Sequence, residues 1–361
     1  MLRVAHGANR LQTEEIVDKM IGQSVGADNG PTVSVIIPVR NEEQHIARCL
    51  ESVVQQDYPK DLMEVLVVDG MSGDSSREIV STFSNRYPFI RLLRNPKQVT
   101  AAALNKGISQ SKGQLILRVD AHCFIEPDYI RLCLRTLEET GADNVGGVVI
   151  PIGTSLMQEA IGFALSSFFG IGSGRFYHCD AGMFIDTVSF GAYRREVFER
   201  IGLYDEDALF GEDDDLNYRL TRSGGRIYLS PKIRSRYYPR SSLSTLWKQY
   251  YNFGRGKVHT MRKHGRPLAL RHLIPPVFVM SVVGSLALYP IRPLFGCFFA
   301  GICGSYVILA ILSSAKISRR EGLKYLPVML VVFPTMHLSY GLGFLMGILR
   351  VWLPRRSRGV Q

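Results

Sequence analysis

Acidic residues all but vanish from the second part of this sequence. Its 361 residues include 43 Lys and Arg against 32 Asp and Glu, for a formal net charge of +11, yet no acid occurs between Asp215 and Glu321. Residues 1–215 carry 20 basic and 31 acidic side chains, whereas residues 216–361 carry 23 basic ones and the single Glu321. The evenly spread basic excess of a nucleic-acid binder is therefore missing; an acidic front is joined to a cationic back. Cysteine is also sparse. Cys49, Cys123, Cys133, Cys179, Cys297 and Cys303 form no C-x-x-C and no zinc-type pairing, which argues against a structural zinc site and a disulfide scaffold. The first 30 residues are polar, with an amphipathic stretch near Glu14–Ile21, and are expected to be a loose lead-in, not a targeting segment. Reduced thiols in a cytoplasmic domain follow as the expectation. No G-x-G-x-x-G follows the first strand-like run, and no G-x-x-x-x-G-K-[ST] occurs, which argues against a dinucleotide dehydrogenase and a P-loop NTPase. With 46% apolar and 21% charged residues, the chain is neither disordered nor collagen-like.

What the back of the chain has instead is long uncharged runs. Leu273–Tyr289, Pro293–Ala315 and Tyr325–Leu349 hold 17, 23 and 25 residues without a charge, and a bilayer-crossing helix needs roughly 17–25. Lys257, Arg262, Lys263, Arg266 and Arg271 precede the first run, only Arg292 follows it, and Lys316, Arg319, Arg320 and Lys324 follow the second. That alternation predicts a cytoplasmic front domain by the positive-inside rule. Three full crossings would place Arg350, Arg355, Arg356 and Arg358 outside; Pro334 and Ser339–Gly343 offer an alternative, a break that returns the third run to the cytoplasm. Both paths stay open at the level of sequence.

The front reads as alternating strands and helices. Val33–Pro38, Glu64–Asp69, a weaker Phe89–Leu93 and Leu115–Val119 are short apolar runs without alternation, as expected of parallel strands buried on both faces. Asn41 is a candidate helix cap ahead of Ile46, Leu50, Val53 and Val54 at helical spacing. Polar residues gather at the carboxyl ends of these strands, where α/β sheets bind ligands: Asn41 and Glu42, then Asp69, then Asp120-Ala121-His122. Without a glycine-rich loop, a diphosphate site usually needs a metal. Asp120 and His122 stand two apart, and a carboxylate with an imidazole suits Mn²⁺ or Mg²⁺ bridging phosphate oxygens.

The segments VSVIIPVRNEE, VLVVDGMSGDSS, AAALNKGI, GQLILRVDAH and FGAYRREVFERIGLYDEDALFGEDDDLNYRL, in this order, resemble the family 2 inverting glycosyltransferases of GT-A fold, particularly bacterial enzymes of succinoglycan-type exopolysaccharide assembly. The resemblance covers about Pro31 to Lys257 and extends into the membrane runs at HLSYGLGF. It implies an α/β fold, a Rossmann-like mixed sheet with a C-terminal helical membrane region. The corresponding divisions are 1–30 lead-in, 31–240 catalytic domain, 241–271 basic amphipathic interfacial segment, 272–350 membrane region and 351–361 basic tail. It further implies that Asp69 contacts the nucleotide base and that Pro38, Asn41 and Glu42 wall the nucleoside. Asp120 and His122 match the metal-binding D-x-D with His in second place, Asp120 lying also against the donor. Glu212-Asp213 matches the pair whose aspartate is the catalytic base, with Glu212 near the acceptor. The run Glu212–Asp215 reads alternatively as a solvated helix N-terminus. The implied reaction moves a hexose, glucose above all, from a nucleotide sugar such as a UDP-sugar to a polyprenyl-diphosphate-linked glycan, with inversion. Other polysaccharide-assembly proteins are expected partners.

Pro231–Arg271 holds eleven Lys and Arg and no acid, interleaved with Trp247, Tyr250, Tyr251 and Phe253. Next to a membrane run this mix predicts a helix lying on anionic lipid headgroups, with a plain solvated face as the alternative and no nucleic-acid partner. Processive relatives carry Q-x-x-R-W here; this chain has Gln249 followed by Asn252 and Phe253 at the Arg and Trp positions, with Arg255 as a substitute phosphate contact. That departure disfavours the processive-synthase alternative. The lysine usual before the A-L-N element is displaced, with Lys97 nearby. A nucleotidyltransferase would show a glycine-rich first loop, and an inactive scaffold a damaged site, whereas Asp69, Asp120 and Asp213 are all present.

Overall fold

The computed structural model describes residues 32–172, 177, 179–208, 210–265 and 270–352, divided between two compact units. The first unit takes Met1–Ile150, Arg175–Asp207 and Glu212–Tyr237. Its strands are β1 (Val33–Val39), β2 (Met63–Asp69), β3 (Ile90–Arg94), β4 (Leu115–Arg118), β5 (Cys123–Ile125), β6 (Asn144–Pro151), β7 (Met183–Ile185), β8 (Ala192–Arg194) and β9 (Ile227–Tyr237). They form one sheet in the order β3-β2-β1-β4-β8-β6-β9-β5, with β7 against β9. β1 to β4 are parallel, in register from Val33↔Met63 to Val39↔Asp69 and at Ile36↔Arg118. The β4–β8, β8–β6, β9–β5 and β9–β7 pairings are antiparallel. This is a mixed sheet whose parallel part follows the apolar runs of the sequence.

Why those runs lack alternation is visible in the packing. Val33, Val35, Ile37 and Val39 face one apolar cluster, which includes Ile46, Leu50 and Val53 of α1 (Ile46–Val54) and Tyr129, Ile130, Cys133 and Leu137 of α4 (Tyr129–Thr140). Ile36 and Val68 face the opposite cluster, with Leu104 and Ile108 of α3 (Thr100–Gln110) and Leu216 and Leu220 of α8 (Glu212–Arg222). Each fully buried Val, Ile or Leu contributes about 1.5–3 kcal/mol, so both faces demand apolar side chains. The remaining helices of this unit are α2 (Ser76–Arg86) and α7 (Arg195–Ile201). All six cysteines are free, and Cys49, Cys123 and Cys133 are buried in the core.

The second unit groups Pro151–Gly174 and Ala208–Gly211 with everything from Tyr238 onward. It contains α5 (Leu156–Leu165), α6 (Phe168–Ile171), α9 (Leu243–His264), α10 (Ile274–Leu288), α11 (Leu294–Glu321) and α12 (Leu326–Trp352). Three segments, Leu270–Leu288, Leu294–Glu321 and Leu323–Arg350, are long and apolar enough to cross a membrane. The break contemplated in the third run does not occur: α12 continues through Pro334 and through Ser339–Gly343. The hydroxyls of Thr335 and Ser339 donate to the carbonyls of Val331 and Thr335 one turn earlier. Neighbouring backbone also supports it, because α9 packs against it through glycines. A Cβ on Gly254 would stand 2.2 Å from the Tyr340 carbonyl oxygen, and one on Gly343 would stand 2.0 Å from that of Tyr251. The basic helix α9 therefore buries Leu246, Tyr250 and Val258 within this unit, so one of its faces meets protein where the sequence suggested only headgroups. Trp247 and Phe253 are exposed on α9.

Candidate active site

The carboxyl edge of the parallel strands is cross-braced loop to loop. Asn41, just beyond β1, has φ of 55°, and its Oδ1 accepts from the Gly73 N–H at 2.8 Å. Its own N–H donates to Ser72 Oγ, and the Glu42 N–H donates to Ser76 Oγ at 2.7 Å. Asn41 is thus no helix cap; α1 begins five residues on, with His45 at its N-cap. Pro38 sits half-buried inside β1, beyond the point where β4 pairs, so its missing N–H interrupts no bond on that side. Asp69 closes β2 and is buried, its Oδ1 accepting from the Ser72 N–H at 3.1 Å. In this state its carboxylate organises the loop after β2.

Arg118, the last residue of β4, is the centre of the site. It is buried, at 7% exposure. Its Nε donates to Asp120 Oδ1 at 2.9 Å, and its Nη1 lies 2.5 Å from Asp213 Oδ1 and 3.0 Å from Glu212 Oε1. One guanidinium fork thus draws together residues from two elements, the β4 end and the first turn of α8, that are 95 positions apart in the chain. The sequence marks Arg118 only as a polar letter inside an apolar strand, and sequence reasoning passed over it.

Helix α8 is held in place by a buried polar network. Asn217 Oδ1 accepts from Tyr193 OH at 3.0 Å and from Asn144 Nδ2 at 3.1 Å, while its Nδ2 donates to Thr187 Oγ1 at 2.8 Å. Asp215, fully buried, pairs with Arg219 at 2.9 Å. The four acids do occupy a helix N-terminus, where the dipole favours them, but Asp215 is buried and the Glu212 side chain is only 12% exposed, where a solvated face would leave both wet. Burial pushes the Asp213 carboxyl up to about 7, against the pull of Arg118 and with the help of the neighbouring Glu212, Asp120 and Asp214 charges. Its side chain remains 32% exposed, and among the described residues its second oxygen has no bonding partner. A carboxylate so placed can take a proton near neutral pH.

His122 Nδ1 stands 3.1 Å from Glu42 Oε1. An ionised carboxylate only accepts, so Nδ1 is the donor in this contact. Among the described residues no three His, Cys, Asp or Glu side chains are grouped to hold an ion by themselves. Lys97 pairs with Glu206 at 2.5 Å. Asn105 of the A-L-N element ties down the same loop: its Nδ2 donates to the Tyr204 carbonyl and to Glu206 Oε1, and its Oδ1 accepts from the Tyr204 N–H. Gln249 and Arg255 lie half-buried on α9 in the second unit, with the Arg255 guanidinium 5.9 Å from the Tyr251 ring centroid.

Known proteins resemble this chain in sequence and in fold. The family described as Glycosyl transferase family 2 matches residues 34–202. The succinoglycan biosynthesis protein ExoA of Rhizobium meliloti is 30% identical over 319 residues, 86% of this chain and 93% of that protein. A dolichyl N-acetyl-α-D-glucosaminyl phosphate 3-β-D-2,3-diacetamido-2,3-dideoxy-β-D-glucuronosyltransferase of Methanococcus voltae is 32% identical over 239 residues, 64% of this chain and 74% of that one. Among solved structures, the mannosyltransferase PcManGT from Pyrobaculum calidifontis, in complex with GDP-Man and Mn²⁺, superposes with a TM-score of 0.55 at 16% identity, covering 96% of this chain and 98% of that one. The fold is thus GT-A, a mixed α/β sheet followed by long apolar helices. The chain belongs to glycosyltransferase family 2.

Proposed function

We propose that this glycosyltransferase is a metal-dependent, inverting hexosyltransferase of surface-polysaccharide assembly. It moves glucose from a UDP-sugar to a polyprenyl-diphosphate-linked glycan at the cytoplasmic face of the inner membrane. The observation that carries the reading is the convergence of Asp120, Glu212 and Asp213 on the buried Arg118 guanidinium, with the Asp213 carboxyl near neutrality. The names of the Rhizobium and Methanococcus relatives support the substrate class; the basic residues flanking the apolar helices support the orientation and a contact with anionic lipids.

In this reading Asp213 Oδ2 accepts the proton of the acceptor hydroxyl as that oxygen attacks the anomeric carbon opposite the leaving diphosphate. One displacement inverts the centre, turning an α-linked donor into a β-linked product. Arg118 fixes Oδ1 so that Oδ2 faces the acceptor, and Glu212 shares the guanidinium beside it. Asn41, Glu42, Pro38 and Asp69 form the loop frame around the nucleoside, and Gln249 and Arg255 are assigned to the acceptor and diphosphate. The donor set fits a hard divalent ion: Asp120 offers carboxylate oxygens with 23% of its side chain exposed, and His122 offers Nε2. Asp120 and His122 would hold Mn²⁺ or Mg²⁺, which supplies charge neutralisation at the departing diphosphate. The Mn²⁺ of the Pyrobaculum neighbour is in keeping with this.

Purified protein in vesicles, offered a panel of labelled nucleotide sugars and a lipid-linked glycan acceptor, is expected to transfer one hexose with Mn²⁺ or Mg²⁺ and none with EDTA. Metal-independent transfer, or no consumption of any donor, overturns the proposal. Glu42→Gln is expected to weaken Mn²⁺ binding about 10–100-fold, as loss of a carboxylate behind a ligating histidine does. The resonance of free Mn²⁺ in a titration with UDP present measures it, and unchanged affinity removes Glu42 from the metal's support.

A further inference from the structure

The mid-chain segment 156–171 belongs with the apolar helices, not with the sheet. At one end the Tyr325 hydroxyl donates to Glu159 Oε2 at 2.8 Å, and Phe163 meets the Tyr325 ring edge-on at 5.0 Å. At the other, His337 Nε2 donates to the Gly170 carbonyl at 3.3 Å; its Nδ1 accepts from Tyr306 OH at 2.9 Å. The Phe169 ring lies 4.9 Å from that of Phe333 and 5.0 Å from that of His337. From Glu159 to Gly170 and from Tyr325 to His337 the two strands of chain advance together, by eleven and twelve residues.

Depth follows from the helix rise. His337 is thirteen residues from both Lys324 and Arg350, the charged residues bounding the third apolar run. At 1.5 Å per residue that is about 20 Å from either end, the middle of a hydrocarbon layer of about 30 Å. Gly170, bonded to His337, shares that depth. The segment cannot cross, since its flanking strands β6 and β7 both belong to the one sheet. It carries no charge from Ala160 to Gly174. Its helix break is chemically prepared for a place without water. Ser166 Oγ donates to the Gly162 carbonyl, Ser167 Oγ donates to that of Ala164 and accepts from the Gly170 N–H. Backbone leaving a helix within hydrocarbon survives only when its polar groups are answered this way. Phe168, at the tip, is 83% exposed, as a buried core helix would not leave it.

We infer that residues 156–171 form a re-entrant element that enters the bilayer beside the start of α12 and reaches mid-depth without crossing, with Phe168 against lipid acyl chains. The inference rests on the reading of the three long apolar helices as membrane spans, and its test separates the two. In a Trp247→Phe, Trp352→Phe background, Phe168→Trp and Ile308→Trp each supply a single tryptophan, the latter at an exposed position inside α11. The full chain is reconstituted with phospholipids brominated deep in, or near the top of, their acyl chains. Both tryptophans are expected to lose most of their fluorescence to the deep bromines, whereas Leu156→Trp responds more to the shallow ones. If Ile308→Trp is quenched and Phe168→Trp is not, or answers only to shallow bromines, the re-entrant element is refuted and the spans stand. If neither is quenched, the spans fail and the inference falls with them.

Discussion

Asp213→Asn is expected to lower kcat by about 10²–10⁴-fold, the usual worth of a general base, while leaving donor affinity and melting temperature close to wild type. Asparagine keeps an oxygen for Arg118 and removes one of three carboxylates crowded around a single cation, so the fold has no reason to suffer. Undiminished transfer would remove Asp213 from the role of base. The wild-type profile supplies a second readout. Only the deprotonated carboxylate accepts the hydroxyl proton, and burial holds the carboxyl near 7, so kcat/KM should climb as pH rises through about 7 and level off above it. The stability linkage runs in the same range with a definite sign. Between the ordinary value of 3.8 and about 7, the native carboxyl keeps a proton that the unfolded chain has released. This group's contribution to stability therefore declines as pH rises through that window. It is the reverse of the behaviour of an aspartate whose value is depressed, and it marks a residue whose environment serves chemistry at the expense of stability.

Arg118→Met is expected to cost about 3–5 kcal/mol of stability, the usual consequence of leaving buried charge without its partner. Thermal melting in detergent micelles reads this loss. Arg118→Lys keeps the charge but not the planar fork, so it should fall between Met and wild type in melting temperature. Because the Arg118 charge is what pulls the Asp213 carboxyl downward, the acidic limb of the activity profile should move to higher pH in the Met variant and less in the Lys variant, which keeps a cation there. A Met variant that melts like wild type would show that the three carboxylates find other compensation.

Arg118 also shows where sequence stops being legible. β1 to β4 could be read because a strand buried on both faces must be apolar at every position, and Val33–Val39 and Met63–Asp69 obey that rule. Asp120, Glu212 and Asp213 stand out as candidates because their residue types and order resemble a family pattern. The guanidinium that joins them does not, since its meeting with Asp213 depends on how α8 is set against the sheet. That setting is decided by Tyr193, Asn144, Thr187 and Asn217, four polar residues from four separated stretches with no common spacing. The loop bracing by Asn41 was misjudged for a similar reason. Asparagine before a helical pattern looks like a cap, and only the partner Gly73, 32 residues away, reveals the other use. The segment around Phe168 was illegible by length: fifteen uncharged residues are too few for a span and look like any core helix.

That segment bears on how the protein can be handled at the bench. Residues 156–171 are packed by Tyr306 of α11, by Phe333 and His337 of α12, and by Tyr325 just ahead of α12. A truncation ending after Tyr237 to obtain a soluble enzyme would strip those partners away and leave Phe163, Phe168 and Phe169 facing water. Such a protein would be prone to aggregate even with its sheet and carboxylate cluster intact. Shortening 156–171 to a polar turn, together with the truncation, is the more promising route to soluble material.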